Sequence, residues 1–351
     1  MRKRIIISIL AAILLATIGC KDDNEDNLLN PMILTFRGPE TVSISLSGSG
    51  IADISWGDGG EIETITFSSG DLEFAPKIKR DYTGSTTRTI KISGENITGL
   101  NCGYNDILTL DVSKNTALTE LRCTNASLTK LDVSKNAALT TLFCNGNQLL
   151  TSLDISQNTK LTELWCTETK LTEIDVSNNT ALTTLFCCYN RLVELDVSNN
   201  TALSTLDCGN NQLTSLDISK NIGLSDLRCY NNQLTGLDVS ENLILLQLDC
   251  SNNQLTSLKS HRNGRLSYVR CERNKLDAEA LNAFFVTLNW GTGSKVLFIE
   301  NNPGSDDCDK SFAENKGYVF CYDSIYDEYE IKKNITCSNS AVNVSNMFFL
   351  P

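Results

Sequence analysis

Cysteine is the most conspicuous residue here that could do chemistry: 14 of the 351 residues are cysteines, against a single histidine, His261. Nine of them, Cys102, Cys123, Cys144, Cys166, Cys187, Cys208, Cys229, Cys250 and Cys271, lie 21 residues apart, with one interval of 22 between Cys144 and Cys166. Metal ligation and disulfide formation compete to explain such a series. A metal site needs ligands converging at short spacings, which a long column does not offer. A disulfide wants β-carbons about 3.8 Å apart, whereas stacked strands repeat at about 4.8 Å. The column therefore reads as buried free thiols packed as small hydrophobes, with no metal.

Aspartates form a second column, Asp111, Asp132, Asp154, Asp175, Asp196, Asp217 and Asp238, ending at Lys259. Calcium would need several oxygens around one ion, and one column supplies few per site. A serine follows two places after each aspartate, from Ser113 to Ser240, so a carboxylate accepting from a turn amide is the favoured explanation. His261 takes that serine position in a degenerate repeat and reads as an exposed bystander. With one histidine, no glycine-rich phosphate loop and no carboxylate pair that stands apart from the columns, no catalytic constellation is visible. The chain reads as a non-enzyme without a cofactor.

The elements that position these columns follow from the period. Each unit from Ile97 to Leu276 has two halves, as in Leu118-Thr-Glu-Leu121-Arg-Cys123 followed by Leu131-Asp132-Val133-Ser134-Lys-Asn136. A fixed period signals a solenoid, in which one coil cannot bury its own apolar edge and neighbours must stack. Alternation turns Leu121 and Cys123, then Leu131 and Val133, inward, and Arg122 and Asp132 outward. Asparagine ends both halves: Asn115, Asn136, Asn158, Asn179, Asn200, Asn221, Asn242 and Asn263 in one ladder, and most Cys-x-x-Asn positions in the other. Such side chains satisfy backbone groups exposed where a coil turns. Ala126 and Thr169 break the second ladder, so those corners are expected to be less regular.

These repeats resemble the leucine-rich repeats, in particular the nested 21-residue bacterial class called IRREKO. The resemblance implies a repeat solenoid: a right-handed leucine-rich-repeat coil with short parallel strands on opposite sides, preceded by a small antiparallel β domain and closed by a helix-containing C-terminal cap.

One outward column varies where the others repeat. It runs Asn101, Arg122, Phe143, Trp165, Phe186, Asp207, Arg228, Asp249 and Arg270. Packing explains a uniform face; a face that changes from coil to coil answers to something else. A row of three large aromatics is expected to form a contiguous apolar patch, and such patches mark interaction sites. The residues from Arg122 to Arg270 are thus the candidate partner-binding set. Aromatics beside charges are the usual anatomy of a protein interface, so a protein partner leads, with a glycan on the same aromatics and a non-binding spacer as alternatives. Cover by a loop or by the N-terminal domain is the competing structural explanation.

The ends complete the picture. Arg2, Lys3 and Arg4, an apolar run from Ile5 to Leu15 and Gly19-Cys20 have the build of a secretory signal and resemble a bacterial lipobox. That resemblance implies lipidation of Cys20, an anchor in the bacterial outer membrane and membrane contact only through that lipid, while the acidic run from Lys21 to Asp26 resembles the export tag of surface lipoproteins, which implies exposure at the surface, with a plain solvated tether as the alternative. Residues 21–30 form an acidic tether. Between residues 31 and 95, alternating runs such as Val42, Ile44 and Leu46 read as short antiparallel strands. Here Trp56-Gly57-Asp58-Gly59 resembles the turn of polycystic-kidney-disease-like domains, and capping the first coil is the favoured role. Repeats span 96–275. A cap at 276–321 places Leu281, Phe284, Phe285 and Leu288 on one helix face, followed by a strand from Lys295 to Ile299. Cys308 and Cys321 could bridge in an oxidising exterior or stay reduced. Cys188 points outward beside Phe186, either reactive or half-covered, the second being favoured. Residues 322–351, with Cys337, show no periodic pattern. The net charge of -12 argues against binding nucleic acid, and the chain is expected to be a monomer.

Overall fold

The computed structural model describes residues 28–323 and 335–337, apart from 39–40, 68–69, 85, 261–264, 289 and 291–294. The lipidation position Cys20, most of the acidic tether, His261, Asn263 and most of the tail lie outside the described residues. The N-terminal strands are β1 (Met32–Arg37), β2 (Thr41–Gly48), β3 (Gly50–Ser55), β4 (Glu63–Phe67), β5 (Ile78–Asp81) and β6 (Thr87–Gly94). Their alternation is that of half-buried strands: Met32, Leu34 and Phe36, then Val42, Ile44 and Leu46, then Ile90 and Ile92 point into one core. Between β3 and β4 the Trp56–Gly60 turn has positive φ at Gly57 (69°) and Gly59 (74°). The buried Trp56 indole donates to Glu63 Oε2, and the Tyr82 hydroxyl donates to the Trp56 carbonyl.

This module continues into the repeats. The first coil supplies β7 (Ile97–Asn101) and β8 (Ile107–Asp111). Strand β2 pairs antiparallel with β7, and β1 pairs antiparallel with β8. Both strand edges at the N-terminal end of the solenoid are thereby covered, the usual remedy for an exposed strand edge. Asn105 makes the join specific: its Oδ1 accepts from Ser43 N and its Nδ2 donates to Ser43 O, so β2 stands where a preceding coil would be.

The cysteine side of the solenoid is a parallel run of β9 (Glu120–Arg122), β10 (Thr141–Phe143), β11 (Glu163–Trp165), β12 (Thr184–Phe186), β13 (Thr205–Asp207) and β14 (Asp226–Arg228). It continues past β15 (Gly236–Asp238) with β16 (Gln247–Asp249), then past β17 (Ser257–Lys259) with β18 (Tyr268–Arg270). With its neighbours at both ends it forms one 14-stranded sheet. The aspartate side is less regular than the repeat pattern predicts: among the described residues, pairing there is limited to β8 with β1, β15 with β17 and one Asp111–Asp132 bridge. The extra residue between Cys144 and Cys166 is absorbed where Leu149 bulges out, exposed, while Leu150 stays buried.

The C-terminal end comprises helix α1 (Ala278–Thr287), β19 (Lys295–Phe298), the short helix α2 (Ser311–Glu314), β20 (Tyr318–Asp323) and β21 (Ile335–Cys337). Asp277 caps α1 by accepting from Ala280 N, and Leu281, Phe284 and Phe285 seal the last coil. The bridge suggested between Cys308 and Cys321 is not the one that forms. Strands β20 and β21 pair antiparallel with Cys321 directly opposite Cys337, and these two are joined. Cys308 is a buried free thiol. The tail therefore contributes a strand that its aperiodic sequence concealed.

Candidate recognition face

Parallel pairing puts the variable column in strict register, Asn101 beside Arg122, then Phe143, Trp165, Phe186, Asp207, Arg228, Asp249 and Arg270. At strand spacing, flat groups in one column stack. The Arg122 guanidinium lies 4.9 Å from the Phe143 ring centre. Phe143 and Trp165 are 4.8 Å apart, and Trp165 and Phe186 are 4.7 Å apart. Arg122 is held by Glu120, and the Trp165 indole donates to Glu163 Oε1 at 2.8 Å. The column is thus a cation–aromatic cluster in which Phe143 and Trp165 are tilted by 31° and Trp165 meets Phe186 edge to face.

Stacking corrects part of the predicted binding set. Phe143, Trp165, Arg122, Arg228 and Asp249 remain half-exposed, but Phe186, Asp207 and Arg270 are buried. Trp165 lies against the Phe186 ring. Beside Asp207, the Tyr230 ring fills the space above Gly209, where a β-carbon would come within 2.3 Å of it. Burial pushes the Asp207 carboxyl up to about 6, opposed by the Gly209 amide and by Arg228. Arg270 pairs with the buried Glu272 and lies over Phe298, which belongs to a small outer cluster with Tyr268, Val296 and Cys321. Burial and the neighbouring Asp249 raise the Glu272 carboxyl, against the pull of Arg270. Between these groups Arg228 pairs with Asp226 at 3.0 Å.

The N-terminal module also reaches this face. Leu72, between β4 and β5, is buried near Gly99, and Glu73 comes within 4.0 Å of Arg122. Neither residue follows from the repeat pattern; only the missing side chain at Gly99 hints that something packs there.

The other columns behave as backbone supports. Asp111, Asp132, Asp154, Asp175, Asp196, Asp217 and Asp238 each accept from the serine amide two places on, at 2.9–3.0 Å. The serine amide and hydroxyl hold Asp132, Asp154, Asp196 and Asp217 below the usual carboxylate range. Among the described residues no group of three or more His, Cys, Asp or Glu could hold a metal ion. The nine ladder cysteines are buried free thiols, and desolvation pushes Cys102 and Cys144 up to about 12. Cys188 is buried too, with its thiol raised by desolvation, so it is not a reactive nucleophile.

Both asparagine ladders form. Asn136 to Asn242 donate to carbonyls of earlier coils, as Asn200 does to Val176 O and Asn179 O. In the other ladder, Asn211 Oδ1 accepts from Leu192 N while Nδ2 donates to Cys187 O and Cys208 O. The break at Ala126 is marked by two positive-φ residues close together, Asn125 (51°) and Ser127 (55°). Thr169 instead donates to Cys166 O and shares Asn190. A hydroxyl ladder outside the sequence expectations also forms: Thr119, Thr140, Thr162, Thr183, Ser204 and Ser225 each donate to the same position of the preceding coil. Its signal was the recurring Leu-Thr or Leu-Ser pair.

The architecture is that of a leucine-rich-repeat solenoid. No family model matches the chain, and no curated relative matches it. Among solved structures it is similar to the functional domain of InlJ from Listeria monocytogenes, which includes a cysteine ladder: 35% identity, TM-score 0.54, covering 64% of this chain and 52% of that one. It is also similar to a leucine-rich-repeat protein from Leptospira interrogans, at 24% identity and TM-score 0.51, covering 58% of this chain and 55% of that one. The chain thus spans about half the length of each.

Proposed function

We propose that this protein is a recognition module that binds a protein partner on the variable strand face, through Phe143 and Trp165 with Arg122, Arg228 and Asp249 beside them. The observation that carries the reading is the stack itself. Trp165 is flanked by Phe143 and Phe186, and Phe143 by Arg122 and Trp165, so a preformed aromatic cluster with a cation beside it stays half-exposed on the strand face. Aromatic and arginine side chains gathered in one patch are the usual anchors of a protein interface. This favours a protein over a glycan. The repeats are read as the nested 21-residue class, the N-terminal strands as polycystic-kidney-disease-like, and the whole as an outer-membrane surface protein held by lipid on Cys20, palmitate included. No enzymatic role is proposed.

The test is a Phe143→Ala, Trp165→Ala double variant, carried through a partner pull-down and a glycan array beside the wild type. Loss of a protein partner with the melting temperature retained supports the reading. Retained partner binding, or loss of a glycan instead, overturns it.

A further inference from the structure

The corner between the aspartate side and the cysteine side is polar in most coils and apolar in two. After the ladder asparagine the chain usually places Thr116, Thr159, Thr180 or Thr201, then a small residue such as Ala117 or Ala202, and the next position outside the buried leucine is a ladder hydroxyl. In the last two regular coils the same positions hold Ile222 (63% exposed), Leu243 (52%), Ile244 (38%) and Leu246 (41%). Packing does not account for them, because the core leucines Leu224 and Leu245 beside them are fully buried as in every other coil. At Leu246 the chain also gives up a bond. The Ser225 hydroxyl donates to Ser204 O and the Ser267 hydroxyl to Leu246 O, whereas the Leu246 side chain has no hydroxyl to donate and Ser225 O receives the Leu246 and Gln247 amides. A side-chain hydrogen bond contributes about 1 kcal/mol at most where the acceptor already holds amide partners, so the exchange of hydroxyl for exposed leucine brings the monomer no gain.

We propose that this corner is a self-association face on which two copies of the chain pack antiparallel. The reason for choosing a second copy is self-complementarity. Consecutive coils repeat each position in one column, so a two-fold axis running across the coils midway between Asn221 and Asn242 lays each position of one coil on its equivalent in the partner's next coil. Lys220 then faces Glu241, both exposed, giving an opposite-charge pair on each side of the axis. Ile222 faces Leu243. Ile244 faces Gly223, the glycine of a column that otherwise holds Ala117, Ala138, Lys160, Ala181 and Ala202, so a branched side chain meets the position with none. A parallel arrangement would instead oppose Lys220 to itself. Four apolar side chains fall short of the roughly 800 Å² per partner of a standard interface, so the pair is weak and reversible. It is independent of the strand-face binding proposed above.

Sedimentation velocity on the full chain, over about 1 to 200 μM, is expected to show a monomer–dimer equilibrium in the micromolar range typical of small interfaces. Ile222→Thr, Leu243→Thr and Leu246→Thr together should weaken it at least tenfold, while the thermal melt stays unchanged or rises as the hydroxyl ladder is completed. Lys220→Glu and Glu241→Lys should each weaken it, and the two combined should restore it. A wild type that stays monomeric throughout overturns the proposal. So does a triple variant that dimerises as tightly as wild type, or a charge-swapped double variant no tighter than the singles.

Discussion

Asn211→Ala tests the claim that asparagine columns, more than strand pairing, close the corners of this solenoid. Asn211 makes four bonds: Oδ1 accepts from Leu192 N at 3.0 Å, and Nδ2 donates to Cys187 O, Cys208 O and Gly209 O at 3.0, 3.0 and 3.2 Å. Not all are equally costly to lose. Cys187 O also receives Asn190, and Cys208 O also receives Asn232, so these carbonyls keep a partner. The Leu192 amide depends on Asn211 for its side-chain acceptor. Stranding one buried amide costs about 1–3 kcal/mol, and the weakened carbonyl bonds and vacated space bring the expected loss to about 2–4 kcal/mol. The assay is urea unfolding followed by circular dichroism, with Asn199→Ala as control. Asn199 is exposed and makes a single long bond of 3.4 Å to Ser177 O, so its loss should stay within about 0.5 kcal/mol. If Asn211→Ala and Asn199→Ala unfold at the same urea concentration, the ladder is decoration and the reasoning fails.

Three further outcomes are expected. Because Asp207 keeps its proton to about pH 6 in the folded protein against an ordinary value of 3.8, the unfolded chain releases that proton first; the contribution of this group to stability is full below about pH 4 and is lost as pH rises through about 6. The loss is at most about 3 kcal/mol, and Asp207→Asn should abolish that part of the pH dependence of the melting temperature. Glu168 occupies a left-handed position (φ 52°) that Asn125, Asn210, Asn231, Asn252 and Asn301 take in other coils, so Glu168→Asn should stabilise by about 0.5–1 kcal/mol in the same urea assay; a destabilised variant would contradict the strain argument. Finally, mass spectrometry after a thiol reagent should find the nine ladder cysteines unlabelled in native protein and labelled once unfolded, with Cys321 and Cys337 reacting only after reduction. Rapid native labelling of the ladder would refute its burial.

Much of this molecule was legible because a solenoid repeats its own constraints. Leu121, Cys123, Leu131 and Val133 must point inward in every coil, so periodicity alone placed the core, the two asparagine ladders and the aspartate-to-serine bonds. Those are local or nearest-coil relations, and each was written nine or so times over. The helix at Leu281 to Leu288 was readable for the same reason, a single amphipathic face. The join at Asn105 and Ser43, across 62 residues, has no such repetition and left no pattern.

What the sequence could not decide was which side chains on the variable face stay in solvent. Alternation puts Phe143, Phe186 and Asp207 on the same side of the strand, and it treats them alike. Exposure depends on lateral neighbours: whether Trp165 leans on Phe186, whether Gly209 leaves room for Tyr230, whether Phe298 lies under Arg270. The pairing of Cys321 with Cys337 likewise depends on β20 meeting β21, not on spacing along the chain. A repeat determines direction because direction is a backbone property. Burial at the surface is a property of the packed neighbourhood, and only the tertiary structure supplies it.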